Sequence, residues 1–363
     1  MINNQNLYLL KILTWFSALI IVLFHYALWF NLNSYEENKF INYLVKRKEY
    51  GANFVYLYWC ITGYTFITFN FSNKKIDLKT YLINIFAKYY PLHILTLIIV
   101  LIIQSLNLNI YEKTQFGYAN DLYHFILHLF FASDWGFHIN QSFNAPVWFM
   151  SILIPIFGYF YLTFKILIKF RVFFSIFTMI FFYYIYPIIF GYQKSIFNFQ
   201  ACFFYFYLGI SIFYICKFKK ITKKIFQLSS IAFIIISIFA LNYNNIYNKN
   251  ILLSYTINYI PSTVLLFSSL IFLCQNYYIK TSYTVKLLST LMNTSYSIYL
   301  WHFPLQLTFI LIFKILNFNI DLFKSLSVFI IFFIILFLIS LFFLKKFEIP
   351  FENLVKKKLN SSK

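Results

Sequence analysis

The stretch LYLLKILTWFSALIIVLFHYALWF, residues 7–30, decides how the chain is read. About 20 apolar residues rising ~1.5 Å each cover the hydrocarbon core of a bilayer, so this run is long enough to cross one. Lys11 near its start and His25 in its outer half are its only residues that carry charge near neutral pH. An ionisable side chain at that depth is costly and by default marks a functional site. Imidazole also titrates near neutrality, which suits it to proton transfer. A structural histidine bonded to a neighbouring helix is the other reading, and the run alone does not separate the two.

The composition extends the membrane reading to the whole chain. Of 363 residues, 61% are hydrophobic and 11% charged, with a mean hydropathy of +0.71; soluble domains carry about 25% charged residues. The expected fold is all-α and polytopic, with about ten transmembrane helices. They fall at roughly 7–30, 52–70, 81–104, 147–168, 172–190, 200–216, 226–241, 256–275, 290–313 and 325–344. Residues 1–350 form the membrane domain in this reading, and 351–363 a basic cytoplasmic tail. The net charge of +20 does not indicate nucleic acid, because the basic residues are placed by topology. With the N-terminus inside, about two-thirds of the Lys and Arg fall in inner segments, as the positive-inside rule requires of an N-in, C-in chain. All but Arg47 and Arg171 of the 30 basic residues are Lys.

Cys60, Cys202, Cys216 and Cys274 are scattered through apolar spans without CxxC spacing, and read as buried thiols. The first run is too long for the apolar core of a cleaved signal and lacks a small-residue cleavage site. There is no internal repeat and no soluble domain. The one sizeable polar stretch is the outer loop from about Asn107 to Asn144, rich in aromatics and His.

Five segments stand out. In the first run, Thr14 and His25 are eleven residues apart, about 16 Å along one helix face, so one helix can serve substrates from both sides. Gly51 and Gly63 permit close helix approach. Lys88, in Asn84–His93, suits an anionic group such as a phosphate, or an interfacial position with its charge drawn to water. Asn140–Ser151 brings Asn144, Trp148 and Ser151 to the membrane level of His25, where a Trp anchors to the interface or, with Asn and Ser, suits a sugar. Thr294–Leu307 holds a second intramembrane histidine, His302, close to Pro304, whose missing N–H frees a backbone carbonyl.

In this order, from about Leu13 to Pro350, the segments resemble acyltransferase family 3, the bacterial membrane O-acyltransferases of surface and secreted glycans. The most telling stretches are Ser295–Leu307, Lys88–Thr96, and Phe131–Phe137 leading to Ser142–Trp148; Phe203–Gly209 and Phe347–Pro350 complete the set. The resemblance implies a multi-pass protein of the bacterial inner membrane. It implies transfer of an acyl group, usually acetyl, from cytoplasmic acyl-CoA to a hydroxyl of a cell-surface or periplasmic glycan such as a polysaccharide or lipopolysaccharide. His25 falls on the family's essential histidine, as base or relay, with Tyr26 and the amides of the fourth span as candidate partners. Lys88, Lys11 and Thr14 are the donor-side candidates; Asn144, Trp148, Ser151 and Tyr26 the acceptor-side ones. Ser295, Tyr299, His302 and Pro304 are expected to support the site. Acyl-CoA is expected as donor substrate rather than bound cofactor, and the partners are the bilayer, the donor and a glycan acceptor. With no further domain after Pro350, the acceptor is expected to be modified within the membrane module or handed to another protein.

The chain departs from the family where charge is expected. Thr14, Ile85 and Lys88 stand where the family has Arg, with only Lys88 keeping the charge; Phe149 stands where it has Ser, and Leu153 where it has Glu. Lys11, nearly on the face of Thr14, is the candidate replacement cation. A second reading is therefore a weakened or inactive member of the fold that binds glycan or lipid or assists export. His124 and His128 have i,i+4 spacing but no third ligand at a recognisable spacing, so an interfacial helix is preferred to a metal site.

Overall fold

The computed structural model describes residues 7–30, 51–71, 77–138, 140–166, 170–186, 194–218, 260–276 and 283–361, with residues 189 and 234 besides. Among them helix is the only regular secondary structure. The helices are α1 (Leu7–Trp29), α2 (Gly51–Phe71), α3 (Leu78–Tyr111), α4 (Leu122–Leu129), α5 (Trp148–Ile166), α6 (Arg171–Ile180), α7 (Lys194–Phe218), α8 (Ile260–Asn276), α9 (Tyr283–Met292), α10 (Ser295–Ile315), α11 (Leu326–Phe343) and α12 (Ile349–Ser361). Six stretches of the described residues are long and apolar enough to cross a membrane: Tyr8–Trp29, Leu78–Tyr111, Ala145–Phe164, Asn198–Cys216, Ser295–Ile315 and Leu326–Leu359. The span expected at 226–241 lies, but for residue 234, outside the described residues.

Caps mark where helices start. Asp77 accepts from the Thr80 N–H at 3.1 Å, Asp121 from the His124 N–H at 2.9 Å and Ser325 from the Val328 N–H at 3.3 Å. At 34 residues and about 51 Å, α3 exceeds the bilayer core. A π-helical turn, Leu344–Glu348, joins α11 to α12, so the segment read as a tail continues as helix to Ser361.

Helices α2 and α7 pack backbone to backbone. A Cβ on Gly63 would lie 1.9 Å from the Phe206 carbonyl oxygen, and one on Gly209 would lie 1.9 Å from that of Cys60. In lipid, where apolar burial gives helices no reason to associate, such close approach supplies the packing energy. Around this contact lies an aromatic core of Trp59, Phe157, Tyr205 and Phe206, all at most 1% exposed. Cys60 and Cys202 are buried free thiols, as their apolar contexts imply.

Candidate active site

Two histidines 277 positions apart meet inside the bundle. His25 Nδ1 of α1 lies 3.0 Å from His302 Nε2 of α10, and the rings are parallel to within 2°. His302 Nδ1 lies 2.5 Å from the Tyr299 carbonyl oxygen. A carbonyl only accepts, so His302 carries its proton on Nδ1 and its Nε2 is the acceptor. His25 must then donate from Nδ1, which leaves its Nε2 as a lone pair. That nitrogen has no hydrogen-bond partner among the described residues, and His25 remains 9% exposed. The arrangement fixes one tautomer and offers a base at Nε2. Trp29, one turn along α1, stacks on the His25 ring at 4.7 Å and 12°.

The proline in α10 explains how the neighbouring loop is held. Pro304 has no N–H, so the Leu300 carbonyl lacks its helical donor. Asn144 fills the gap, its Nδ2 donating to Leu300 O at 3.3 Å. The Tyr299 hydroxyl donates to Pro146 O at 2.5 Å, and that of Tyr296 to Tyr89 O at 2.6 Å. α10 is thus pinned to α3 and to the turn entering α5, which holds His302 in place.

A cavity of about 420 Å³ lies at the end of the bundle where α1 begins and α11 passes into α12. Lys11, Thr14 and Lys88, the three donor-side candidates, all line it. So do Ser295, Leu153 and two carboxylates that are not among the expected site residues, Glu348 and Glu352. Lys11 Nζ donates to Asn293 Oδ1 at 3.2 Å, and Lys88 Nζ lies 5.0 Å from the Tyr89 ring centre. Tyr58, on the cavity wall, meets Phe149 edge-on at 5.0 Å. Phe149 in turn contacts Tyr299 at 5.1 Å, and Tyr299 contacts His302 at 5.6 Å. Aromatic rings therefore link cavity wall and histidine pair.

The acceptor-side candidates are not gathered at His25. Tyr26 points its hydroxyl to Phe323 O at 2.8 Å. Ser151 accepts from the Asp134 N–H at 3.0 Å, and Trp148 packs edge-on against Trp59. With Asn144 bonded to Leu300, all four serve packing or backbone contacts in this structure.

The histidines of the intervening loop are engaged separately. His124 pairs with Asp121 at 2.8 Å, His128 with Ser142 at 3.1 Å, and His138 lies 3.6 Å from Asp134. Among the described residues no group of three or more His, Cys, Asp or Glu is arranged to hold a metal. Burial pushes the Asp134 carboxyl up to about 6, against the lowering effect of Asn198, whose Nδ2 donates to it at 3.1 Å. A raised carboxyl pKa makes the ionised form a cost to folding, absent below about pH 4 and complete above about pH 6. The melting temperature of Asp134→Asn, measured against wild type from pH 4 to 7, is therefore expected to gain on wild type as pH rises. A constant difference would contradict this origin.

A helical membrane bundle with a buried imidazole pair linked through aromatic rings to a cavity lined by two lysines is the class of protein these features define. Residues 8–345 match the family described as Acyltransferase domain, and the chain belongs to that family, acyltransferase family 3. Comparison with curated proteins and with solved structures gave no match.

Proposed function

We propose that the protein is a membrane O-acyltransferase of the bacterial inner membrane, with both termini in the cytoplasm. It moves an acyl group, acetyl in the simplest case, from cytoplasmic acyl-CoA to a hydroxyl of a cell-surface or periplasmic glycan. The observation that carries this reading is the His302-fixed tautomer of His25, which supplies a base at Nε2. In the proposed step Nε2 takes the acceptor hydroxyl proton as the oxygen attacks the thioester carbonyl. The C–O bond forms, the C–S bond breaks, and the proton returns to the departing thiolate. His302 holds the charged imidazole through the Nδ1–H bond.

The cavity is the proposed donor site. Lys88 and Lys11 meet the donor phosphates, while Glu348 and Glu352 add carboxylates to a lining in which Leu153 is apolar. This distribution favours an active enzyme over a silent relic despite Thr14 and Leu153. Lys88→Gln is expected to raise the donor KM at least about tenfold, the worth of one charge-assisted hydrogen bond. Added salt should weaken donor use more in wild type than in the variant. Equal KM and equal salt response would remove Lys88 from the donor site. In cells, the test is glycan acetylation in a strain lacking the gene and complemented with wild type or His25→Ala. Acetylation restored only by wild type is expected; identical glycans in all strains would refute the reading.

A further inference from the structure

Three aromatic residues adopt left-handed backbone conformations among the described residues: Phe116 at φ 61°, Phe131 at 56° and Phe143 at 41°. Side chains with a Cβ rarely accept such angles, and strain of this kind persists only where the surroundings over-determine it. At Phe131 and Phe143 the rings are buried, 5% and 1% exposed, so packing accounts for the conformation. Phe116 is different, because its ring is 39% exposed.

The turn carrying it, Gln115–Gly117, is anchored from inside. The Gln115 N–H donates to Gln104 Oε1 at 2.9 Å. Its side-chain Nε2 reaches Asn107 Oδ1 at 3.3 Å and Leu307 O at 3.2 Å. A buried polar network from α3 and α10 therefore holds an unfavourable backbone whose visible result is an exposed phenyl ring. That ring lies 6.1 Å from Trp29, the residue stacked on His25. Tyr118, half-buried, has its ring 5.7 Å from that of Phe116 and 6.1 Å from that of Phe303, which in turn lies 4.5 Å from Trp29.

We propose that Trp29, Phe116 and Tyr118 form a carbohydrate platform at the mouth of His25, against which an acceptor pyranose stacks its C–H face. This rests on the acyltransferase reading for its purpose, and it adds where the sugar ring sits. The chemistry is that of aromatic faces, which carry negative charge density and attract the weakly positive C–H groups of a ring. A pyranose on this surface turns its hydroxyl edge along the Trp29–His25 stack, towards the nitrogen that takes the proton.

The test is saturation-transfer NMR on the full chain in detergent micelles. The probes are methyl glycosides of glucose, galactose, mannose and N-acetylglucosamine, without donor. At least one is expected to bind wild type, with Kd at least tenfold weaker in Phe116→Gly and retained in Phe116→Tyr. Glycine relaxes the left-handed backbone, so Phe116→Gly is expected to melt no lower than wild type, which separates loss of the ring from loss of the fold. No glycoside binding to wild type, or unchanged binding in Phe116→Gly, would overturn the platform. Unchanged binding with easier extraction from membranes would make Phe116 a bilayer anchor instead. Glycoside binding without any acyl transfer would refute the proposed reaction and leave the platform standing.

Discussion

Replacing His302 with alanine is expected to lower acyl transfer about a hundredfold or more in a chain that still folds. The expectation follows from the bond directions at the histidine pair. With His302 gone, nothing fixes the His25 proton on Nδ1, and the charged imidazole formed during transfer loses its acceptor. General-base catalysis contributes about 10²–10⁴-fold, and an imidazole in the wrong tautomer forfeits most of it. His25→Ala should cost about a thousandfold, and the double variant little more than the worse single one, because the two rings act as one unit. His302→Gln is the discriminating substitution: its amide oxygen accepts from His25 Nδ1–H and should restore part of the rate. Additive losses, or no rescue by Gln over Ala, would show that His302 only fills space.

The second large effect is on the fold itself. Gly63→Ala and Gly209→Ala each place a methyl group 1.9 Å from a backbone oxygen of the facing helix. Flexible side chains yield to such a clash, but two helices pinned along their length do not. Overpacking a tight core costs about 1–3 kcal/mol and sometimes more, and this contact falls at the upper end. At about 1–2 °C per kcal/mol for a chain of this length, melting should fall by about 4 °C or more, with reduced yield in the membrane. Gly158 in α5 is the internal control, since a Cβ there meets nothing within 4 Å. Gly158→Ala should be neutral or slightly stabilising, because Ala favours a helix by up to about 1 kcal/mol. Wild-type melting in Gly63→Ala would mean that α2 and α7 do not pack in this way.

How much of this was legible in the chain differs from residue to residue. The membrane class and the helical architecture follow from composition and run length, which need no tertiary information. His25 stands out as the one ionisable group deep in the first apolar run. Its partner does not: His302 is read as supporting the site, and contact across 277 positions has no signature in local spacing. Thr14 and Lys88 are donor-side expectations of the family resemblance, Lys11 of its place nearly on the face of Thr14, and the three line one cavity. Glu348 was seen only as part of a closing motif, because the π-helical turn that brings it to that cavity leaves no trace in an apolar pattern.

The acceptor-side expectation diverged for physical reasons that can be named. Asn144 suits a sugar by residue type and depth, yet Pro304 leaves a carbonyl without its helical donor, and an amide near such a carbonyl is drawn to it. The proline was itself visible as a signal of that need. Tyr26 follows His25 directly, but consecutive helical residues point about 100° apart, so its hydroxyl goes to Phe323 O. Trp29, by contrast, is i+4 from His25 and shares its face. Helical spacing favoured Trp29 over Tyr26 as the aromatic neighbour of the reacting imidazole.

The most direct test of the account is transfer of radiolabelled acetyl from acetyl-CoA to envelope glycan by membranes from a strain lacking the gene. The chain is supplied as wild type, His25→Ala or His302→Ala at matched levels. The account predicts labelled glycan with wild type, about a hundredfold less with His302→Ala, and essentially none with His25→Ala. Equal labelling by wild type and His25→Ala, or no labelling by any of the three, would contradict it.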